Sequence, residues 1–458
     1  MWGRVIRQMS GKKALIRSVV FLLVLGVSIY LLQGLFAYDD EYTFENQTGM
    51  MHEKRERLDG VYIGASNVYY YWQPLFGWMD HGIAIRNFCG NSLRPAALKY
   101  YVMEAEKRQP NALFIININT FKYYDNLNLD AKNIHRAVDY MPLSMNTLRL
   151  THDLTERSSY KGLERLEFYL PIIRFHSRWD SLSPWTLGAS DVDYKSSLHA
   201  ANFLEGKKDI TKKYRLYDTE EPFSEDMQRA LEDLLDYFDA HKLKVLFVKV
   251  PQALIKKRQS YMKTAQKIIE ARGYPILDLY DKFSEMEIDM RQECWNERHT
   301  NLHGSVKFSW TLGNYLVEHY QFQDKRGLPE WADWDRSAKQ YAKLVDQYLL
   351  PFETAHAART FTDIPVLRKP KVDGQSVTLT WEDTGNVSGY LIYRKRKAGK
   401  DLTWHEVAQV DAVCRQWVDE GLSPRTSYSY RVVPFISANG ERTYGSFDIG
   451  DVSVRTAA

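Results

Sequence analysis

The sequence predicts three structural parts: an apolar N-terminal helix, an α/β domain built on a parallel sheet, and a small antiparallel β-sandwich. Three observations carry this reading. Residues 18–37 form an apolar run whose only polar members are Ser18, Ser28 and Gln33, and Arg4, Arg7, Lys12, Lys13 and Arg17 precede it. Between residues 58 and 350, short β-rich apolar runs alternate with amphipathic helical patterns, as a parallel sheet covered by helices on both sides requires. Beyond Ile364 the hydrophobic period becomes two, the period of half-buried strands. A chain of 458 residues, 44% hydrophobic and 14% aromatic, has room for two or three domains with separate cores.

Taken in order, residues 1–17 read as a basic tail and 18–37 as a membrane anchor, because about twenty apolar residues match the hydrocarbon core of a bilayer. Asp39, Asp40 and Glu41 follow it. The basic side stays in the cytoplasm, so the bulk of the chain is expected outside the cell membrane. A cleaved signal peptide, with a weak site at Leu35-Phe-Ala37, is the rival reading; a buried core helix is a third. Residues 38–57 are polar and read as a juxtamembrane spacer. Strands are expected at 61–63, 112–118, 245–250 and 275–279, and helices at 94–107, 224–240, 255–272, 305–320 and 331–349. The stretch 123–217 is too long for one crossover and reads as a helical insertion. A linker follows at 351–363.

In the last part, 364–458, the runs Ser376-Val-Thr-Leu-Thr-Trp381, Gly389-Tyr-Leu-Ile-Tyr-Arg394 and Tyr428-Ser-Tyr-Arg-Val-Val433 alternate in polarity, with turn-prone segments such as 382–385 and 437–440 separating them. This pattern predicts an immunoglobulin-like antiparallel sandwich. Together with Pro365 and Leu422-Ser-Pro-Arg-Thr-Ser-Tyr428, it resembles a fibronectin type III domain, in which the last segment supplies the tyrosine corner.

Several function classes fall away. Net charge is only +3, with Lys and Arg interspersed among acids, so there is no electrostatic case for nucleic acid. Cys89, Cys294 and Cys414 are odd in number and lack metal-ligand spacing. Asp80-His81 has no third ligand at sensible spacing, so no metal is expected. No phosphate loop or dinucleotide-binding glycine pattern appears, and no cofactor is expected.

The chemistry-bearing stretch is Val61-Tyr-Ile-Gly-Ala-Ser-Asn-Val68. An apolar strand stops at Gly64-Ala65 and presents Ser66 at its carboxyl end, where ligands bind in open α/β sheets. A serine hydroxyl needs a base to become nucleophilic. His299, in Asn296-Glu-Arg-His-Thr-Asn-Leu-His-Gly304, lies on a loop entering a helix and could reach that end of the sheet. His303 reads as lining the start of that helix. Tyr69, after the serine, could stack on a sugar ring or fill the core.

Residues 58–320 resemble the SGNH, or GDSL-like, hydrolase superfamily, and most of all its envelope-anchored branch related to the teichoic-acid D-alanylation protein and to polysaccharide O-acetylation proteins. The first block of that family stands here as Gly64-Ala-Ser66, and its last as Asn296-Glu-Arg-His299-Thr-Asn301-Leu-His-Gly304. His81-Gly-Ile-Ala-Ile-Arg-Asn-Phe-Cys-Gly-Asn-Ser92 resembles the second block, which implies Gly82 or Gly90 as an oxyanion donor. Ile115-Ile-Asn-Ile-Asn-Thr120 stands where the third block falls, without its glycine and aspartate, and Asn119 becomes the oxyanion candidate there. Pro171-Ile-Ile-Arg-Phe-His-Ser-Arg-Trp-Asp180 is similar to the helical insertion of this branch, with His176 and Arg178 as candidates for a substrate groove. The family's aspartate before the histidine is replaced by Asn296, which can orient an imidazole but not stabilise it by charge; Glu297 is the alternative. The resemblance implies a serine esterase or O-acyltransferase acting on acyl groups of a cell-envelope polysaccharide or teichoic acid, with a membrane-bound O-acyltransferase as a possible partner. A non-catalytic scaffold or adhesin that binds such a polymer or partner is the alternative.

Overall fold

A computed structural model describes residues 11–123, 129–182, 215–288, 290–348, 365–382, 385, 387–397, 399, 403–438, 441–444 and 452–458. Arg4, Arg7, the linker expected at 351–363 and residues 183–214 of the insertion lie outside the described residues. The first helix, α1 (Gly11–Gln33), belongs to the one segment among the described residues that is long and apolar enough to cross a membrane, Lys13–Phe36. Its leucines, valines and phenylalanine are exposed to the surroundings.

Residues 41–52 differ from the expected polar spacer. They form α2 (Glu41–His52), capped by the Asp40 side chain on the Thr43 N–H. Thr43, Glu45, Asn46, Gln47, Gly49 and Met50 are buried. The polarity misleads because some of these groups find partners inside the domain: Gln47 Nε2 donates to Tyr101 Oη at 2.6 Å and to the Arg136 carbonyl at 2.8 Å. Just beyond the helix, Glu53 receives Arg57, Arg86 and the Trp334 indole N–H.

The α/β domain follows as β1 (Gly60–Gly64), α3 (Asn67–Tyr71), α4 (Pro74–His81), β2 (Ile85–Cys89), α5 (Pro95–Arg108) and β3 (Leu113–Asn117), the last running into a 3-10 turn, Ile118–Lys122. The insertion contributes α6 (Ala131–Val138), α7 (Met145–Glu156) and the short α8 (Ile172–Phe175). The sheet resumes through α9 (Glu225–His241), β4 (Val245–Lys249), α10 (Lys256–Ala271) and β5 (Ile276–Asp278). A single turn, α11 (Met290–Glu293), leads to a hairpin of β6 (Cys294–Asn296) and β7 (His299–Thr300), then α12 (Leu302–His319) and α13 (Ala332–Tyr348).

The five strands β2-β1-β3-β4-β5 are parallel throughout. Strands β1 to β4 are buried on both faces, which explains why they read as apolar runs rather than alternations. β2 was not expected as a strand, because Arg86 and Asn87 interrupt its apolar pattern; both are buried, Arg86 against Glu53 at 3.2 Å and Asn87 on the Trp72 carbonyl. From β1 the chain goes first to one side and then to the other. The carboxyl ends of β1 and β3 therefore flank the switch point of the sheet, the position at which open α/β sheets generally bind ligands.

The C-terminal part is all antiparallel. β8 (Lys371–Asp373), β9 (Ser376–Thr380) and β12 (Gln416–Asp419) form one sheet. β10 (Gly389–Arg396), β11 (His405–Asp411), β13 (Ser427–Ala438), β14 (Glu441–Tyr444) and β15 (Val452–Arg455) form the other. Val377, Leu379, Trp381, Tyr390, Ile392, Tyr430 and Val432 fill the space between them. The Ser423 N–H donates to Tyr428 Oη at 3.1 Å, closing the corner that the sequence singles out.

Candidate active site

The end of β1 is built to present Ser66. A methyl on Gly64 would lie 2.7 Å from Asn117 Cβ and 2.9 Å from Val68 Cγ2, so only glycine lets β1 pass this close to β3 and α3. Ser66 follows in helical conformation at the start of α3 and is 6% exposed. Asn67 is fixed beside it, donating through Nδ2 to Asn117 Oδ1 at 2.6 Å, while Asn117 Nδ2 donates to Tyr62 Oη at 2.9 Å. No backbone acceptor among the described residues takes the Ser66 N–H, which leaves it able to donate to a group at this end of the strand.

His299 arrives from 233 residues away, with Nε2 3.0 Å from Ser66 Oγ. The hairpin that carries it is pinned to the segment following β4. The Ala253 N–H donates to the Glu297 carbonyl at 2.7 Å, and Gln252 Nε2 to the Arg298 carbonyl at 2.6 Å. Thr300 Oγ1 donates to the Tyr70 carbonyl, and Asn301 caps α12 by accepting the Gly304 N–H at 3.2 Å. The imidazole lies against the Tyr70 ring, with centroids 4.3 Å apart, and Trp295 packs on both, its ring stacked on Tyr70 and 6.4 Å from the imidazole. Burial first, then Lys122 and Arg298, hold its pKa well below 6.5. A neutral imidazole 3.0 Å from a hydroxyl can accept its proton, the first step of nucleophilic attack on an acyl carbon.

The third member of the expected triad is not in place. Asn296 pairs across the hairpin from His299, but its Oδ1 accepts the Arg298 N–H at 2.8 Å. A two-residue turn lets the short Asn side chain close on the backbone two residues ahead, as asparagine does in tight turns. Glu297 makes no bond to His299 either, and His299 Nδ1 is enclosed without a hydrogen-bond partner among the described residues. Ring packing, rather than a carboxylate, orients the imidazole.

The expected oxyanion residues are also displaced. The Gly82 N–H donates to the Trp78 carbonyl at 2.9 Å; this residue ends α4 at φ 70°, beside Asp324. Gly90 does lie at the carboxyl end of β2, but its N–H points to the Gly64 carbonyl at 3.4 Å. Asn119 is wholly buried in a two-way clasp with Val250: Nδ2 donates to its carbonyl and Oδ1 accepts its N–H, both at 2.8 Å. That side chain locks the 3-10 turn to the end of β4.

The groove candidates lie elsewhere. Tyr69 is 1% exposed and packs between Tyr42 and Tyr70. His176 is exposed, with Nδ1 on the Ile173 carbonyl at 3.0 Å. Arg178 binds the Ala37 carbonyl and lies 3.4 Å from Asp39, tying the insertion to the chain just beyond the apolar helix. Asp80 and His81 pair with each other at 3.3 Å.

One residue was missed. Lys122 closes the turn after β3, is 1% exposed, and donates to Gln252 Oε1 at 3.1 Å. Burial first, then Arg298, Arg258 and Arg94, lower its pKa to about 7. A lysine between Phe121 and Tyr123, directly after a buried strand, was the available signal.

No family model matches the chain, and no curated protein matches it. Solved structures are similar over about a fifth of its length. The FN1–FN3 domains of chicken CNTN1 are 24% identical over 21% of this chain and 31% of theirs, with a TM-score of 0.19. The FN3 domain of human collagen XX is 24% identical over 22% of this chain and 96% of that one, with a TM-score of 0.18. An Fn3-like protein from Clostridium thermocellum is 20% identical over 20% and 92%, with a TM-score of 0.16. A β-1,2-glucanase from Parabacteroides distasonis is 18% identical over 22% of this chain and only 14% of its own length, with a TM-score of 0.18.

Proposed function

We propose that this protein is a membrane-anchored serine esterase or O-acyltransferase of the SGNH type, acting on acyl groups of a cell-envelope polysaccharide or teichoic acid outside the membrane. The observation that carries the reading is the 3.0 Å approach of Ser66 Oγ to a neutral His299 Nε2, at the switch point of a parallel sheet. Ser66 attacks the acyl carbonyl while His299 takes its proton. The tetrahedral oxyanion receives the Ser66 N–H; one such donor is typically worth about two to three orders of magnitude in rate. Collapse of the intermediate expels the alcohol, protonated by His299, and leaves an acyl-serine. Water completes a hydrolysis, and a second hydroxyl completes a transfer.

The unbonded His299 Nδ1 favours a second reading: a non-catalytic envelope scaffold or adhesin that holds a glycopolymer or a membrane-bound O-acyltransferase. Hydrolysis of p-nitrophenyl acetate by the full-length protein in detergent micelles separates the two. The catalytic reading requires turnover that Ser66→Ala and His299→Ala each abolish. Turnover no greater than that of the two variants supports the scaffold.

A further inference from the structure

The Ser66–His299 pair sits beside cations that no acid among the described residues pairs with. The enclosed Lys122 Nζ shares Gln252 with the hairpin of His299: Gln252 Oε1 accepts from Lys122 and Gln252 Nε2 donates to the Arg298 carbonyl. On the other side, Tyr123 carries the Arg94 guanidinium 4.2 Å above its ring, with Lys122 Nζ 5.4 Å from the same centroid. Arg94 Nε is buried without a hydrogen-bond partner among the described residues. Arg258, in the first turn of α10, and Arg298, in the hairpin turn, add their fields at Lys122. None of these four cations makes an ion pair among the described residues, although the domain elsewhere pairs its buried charges, as in Glu53 with Arg57 and Arg86. An enclosed ammonium without a counter-charge costs several kcal/mol, and guanidinium and ammonium together match the oxygens of phosphate or carboxylate.

We propose that Lys122 and Arg94, rimmed by Arg258 and Arg298, form a subsite for an anionic group, a phosphate or a carboxylate, carried by the ester that Ser66 attacks. The proposal rests on the reading of Ser66 and His299 as an ester-cleaving pair. Binding the remote charge fixes the acyl carbonyl relative to Ser66 Oγ, and such positioning counts directly in rate. The substrate is therefore an acyl ester on, or bearing, an anionic unit rather than a neutral sugar ester.

The test uses the full-length protein in detergent micelles and three esters: neutral p-nitrophenyl acetate, the carboxylate mono-p-nitrophenyl succinate, and the phosphonate p-nitrophenyl phosphonoacetate. Wild-type kcat/KM is expected to favour at least one charged ester over the neutral one by about tenfold or more, the scale of a hydrogen bond to a charged group. Which ester gains tells carboxylate from phosphate. The ratio is expected to fall toward one in Lys122→Met and in Arg94→Gln. A second arm needs no turnover: inorganic phosphate and succinate are titrated into Ser66→Ala, read as a rise in Tm that Lys122→Met, added to Ser66→Ala, removes. Equal kcat/KM for all three esters with no rise in Tm overturns the subsite. Anion binding without hydrolysis of any ester supports the subsite and overturns the ester-cleaving reading instead.

Discussion

Replacing Lys122 with methionine should stabilise the protein, and the size of the effect can be worked from the site. The ammonium faces one amide oxygen, 3.1 Å away, and no carboxylate among the described residues. Its enclosure and the nearby arginines bring its pKa from 10.5 to about 7. Between pH 7 and 10.5 the unfolded chain therefore holds a proton that the folded chain lacks, and stability rises with pH through that window. At about 1.4 kcal/mol per tenfold change in protonation, this lysine lowers stability at pH 7 by roughly 4 kcal/mol. Methionine fills similar space without charge and forfeits one hydrogen bond, about 1 kcal/mol. Lys122→Met should thus gain about 3 kcal/mol at pH 7, and the gain should vanish by pH 10. Urea titrations of the full-length protein at both pH values, followed by tryptophan fluorescence and read at the transition of the α/β domain, measure this difference. A variant less stable than wild type at pH 7, or a gain equal at both pH values, would refute the picture of an enclosed, unpaired ammonium.

Because His299 stays neutral well below pH 6.5, cleavage of a neutral ester should remain level as pH falls through 6.5 and decline only in stronger acid. Lys122→Met, which removes one of the charges depressing that pKa, should move the decline to higher pH; a wild-type decline centred at or above 6.5 contradicts this. Gly64→Ala forces a methyl to 2.7 Å from Asn117 Cβ, where ordinary contact begins at 3.4 Å. Overpacking of this kind costs about 1–3 kcal/mol, so a lower Tm is expected along with roughly a hundredfold loss in kcat/KM as Ser66 shifts from His299; an unchanged Tm sinks the argument. Asn296→Ala should change kcat/KM only a few-fold, since its side chain holds the Arg298 N–H and not the imidazole; a loss of a thousandfold would restore it as a triad member.

Much of this protein is written locally in its sequence. Buried strands β1, β3 and β4 are continuous apolar runs, and α5, α9, α10 and α12 carry their apolar residues at helical spacing. A small-residue stop after β1 announces Ser66, and a loop histidine before a helix announces His299. Period two announces the sandwich. These features depend on neighbours a few residues apart, which pattern can report. Polarity is a weaker guide where partners are distant. The helix Glu41–His52 looks solvated until Tyr101 and the Arg136 carbonyl are found beside Gln47, and β2 is hidden by an arginine whose partner, Glu53, lies 33 residues away.

The tertiary structure alone decided which polar groups meet at the site. The sequence determined that a serine just past an apolar strand and a loop histidine exist; packing of the hairpin against Gln252 and Ala253 brought them to 3.0 Å. It turned Asn296 back onto its own turn, locked Asn119 onto Val250, and left His299 Nδ1 without a carboxylate. It also enclosed Lys122 near Arg94, Arg258 and Arg298, without an acid among the described residues. A side chain's available partners depend on direction and burial in three dimensions, and those are set by long-range packing that spacing along the chain does not encode.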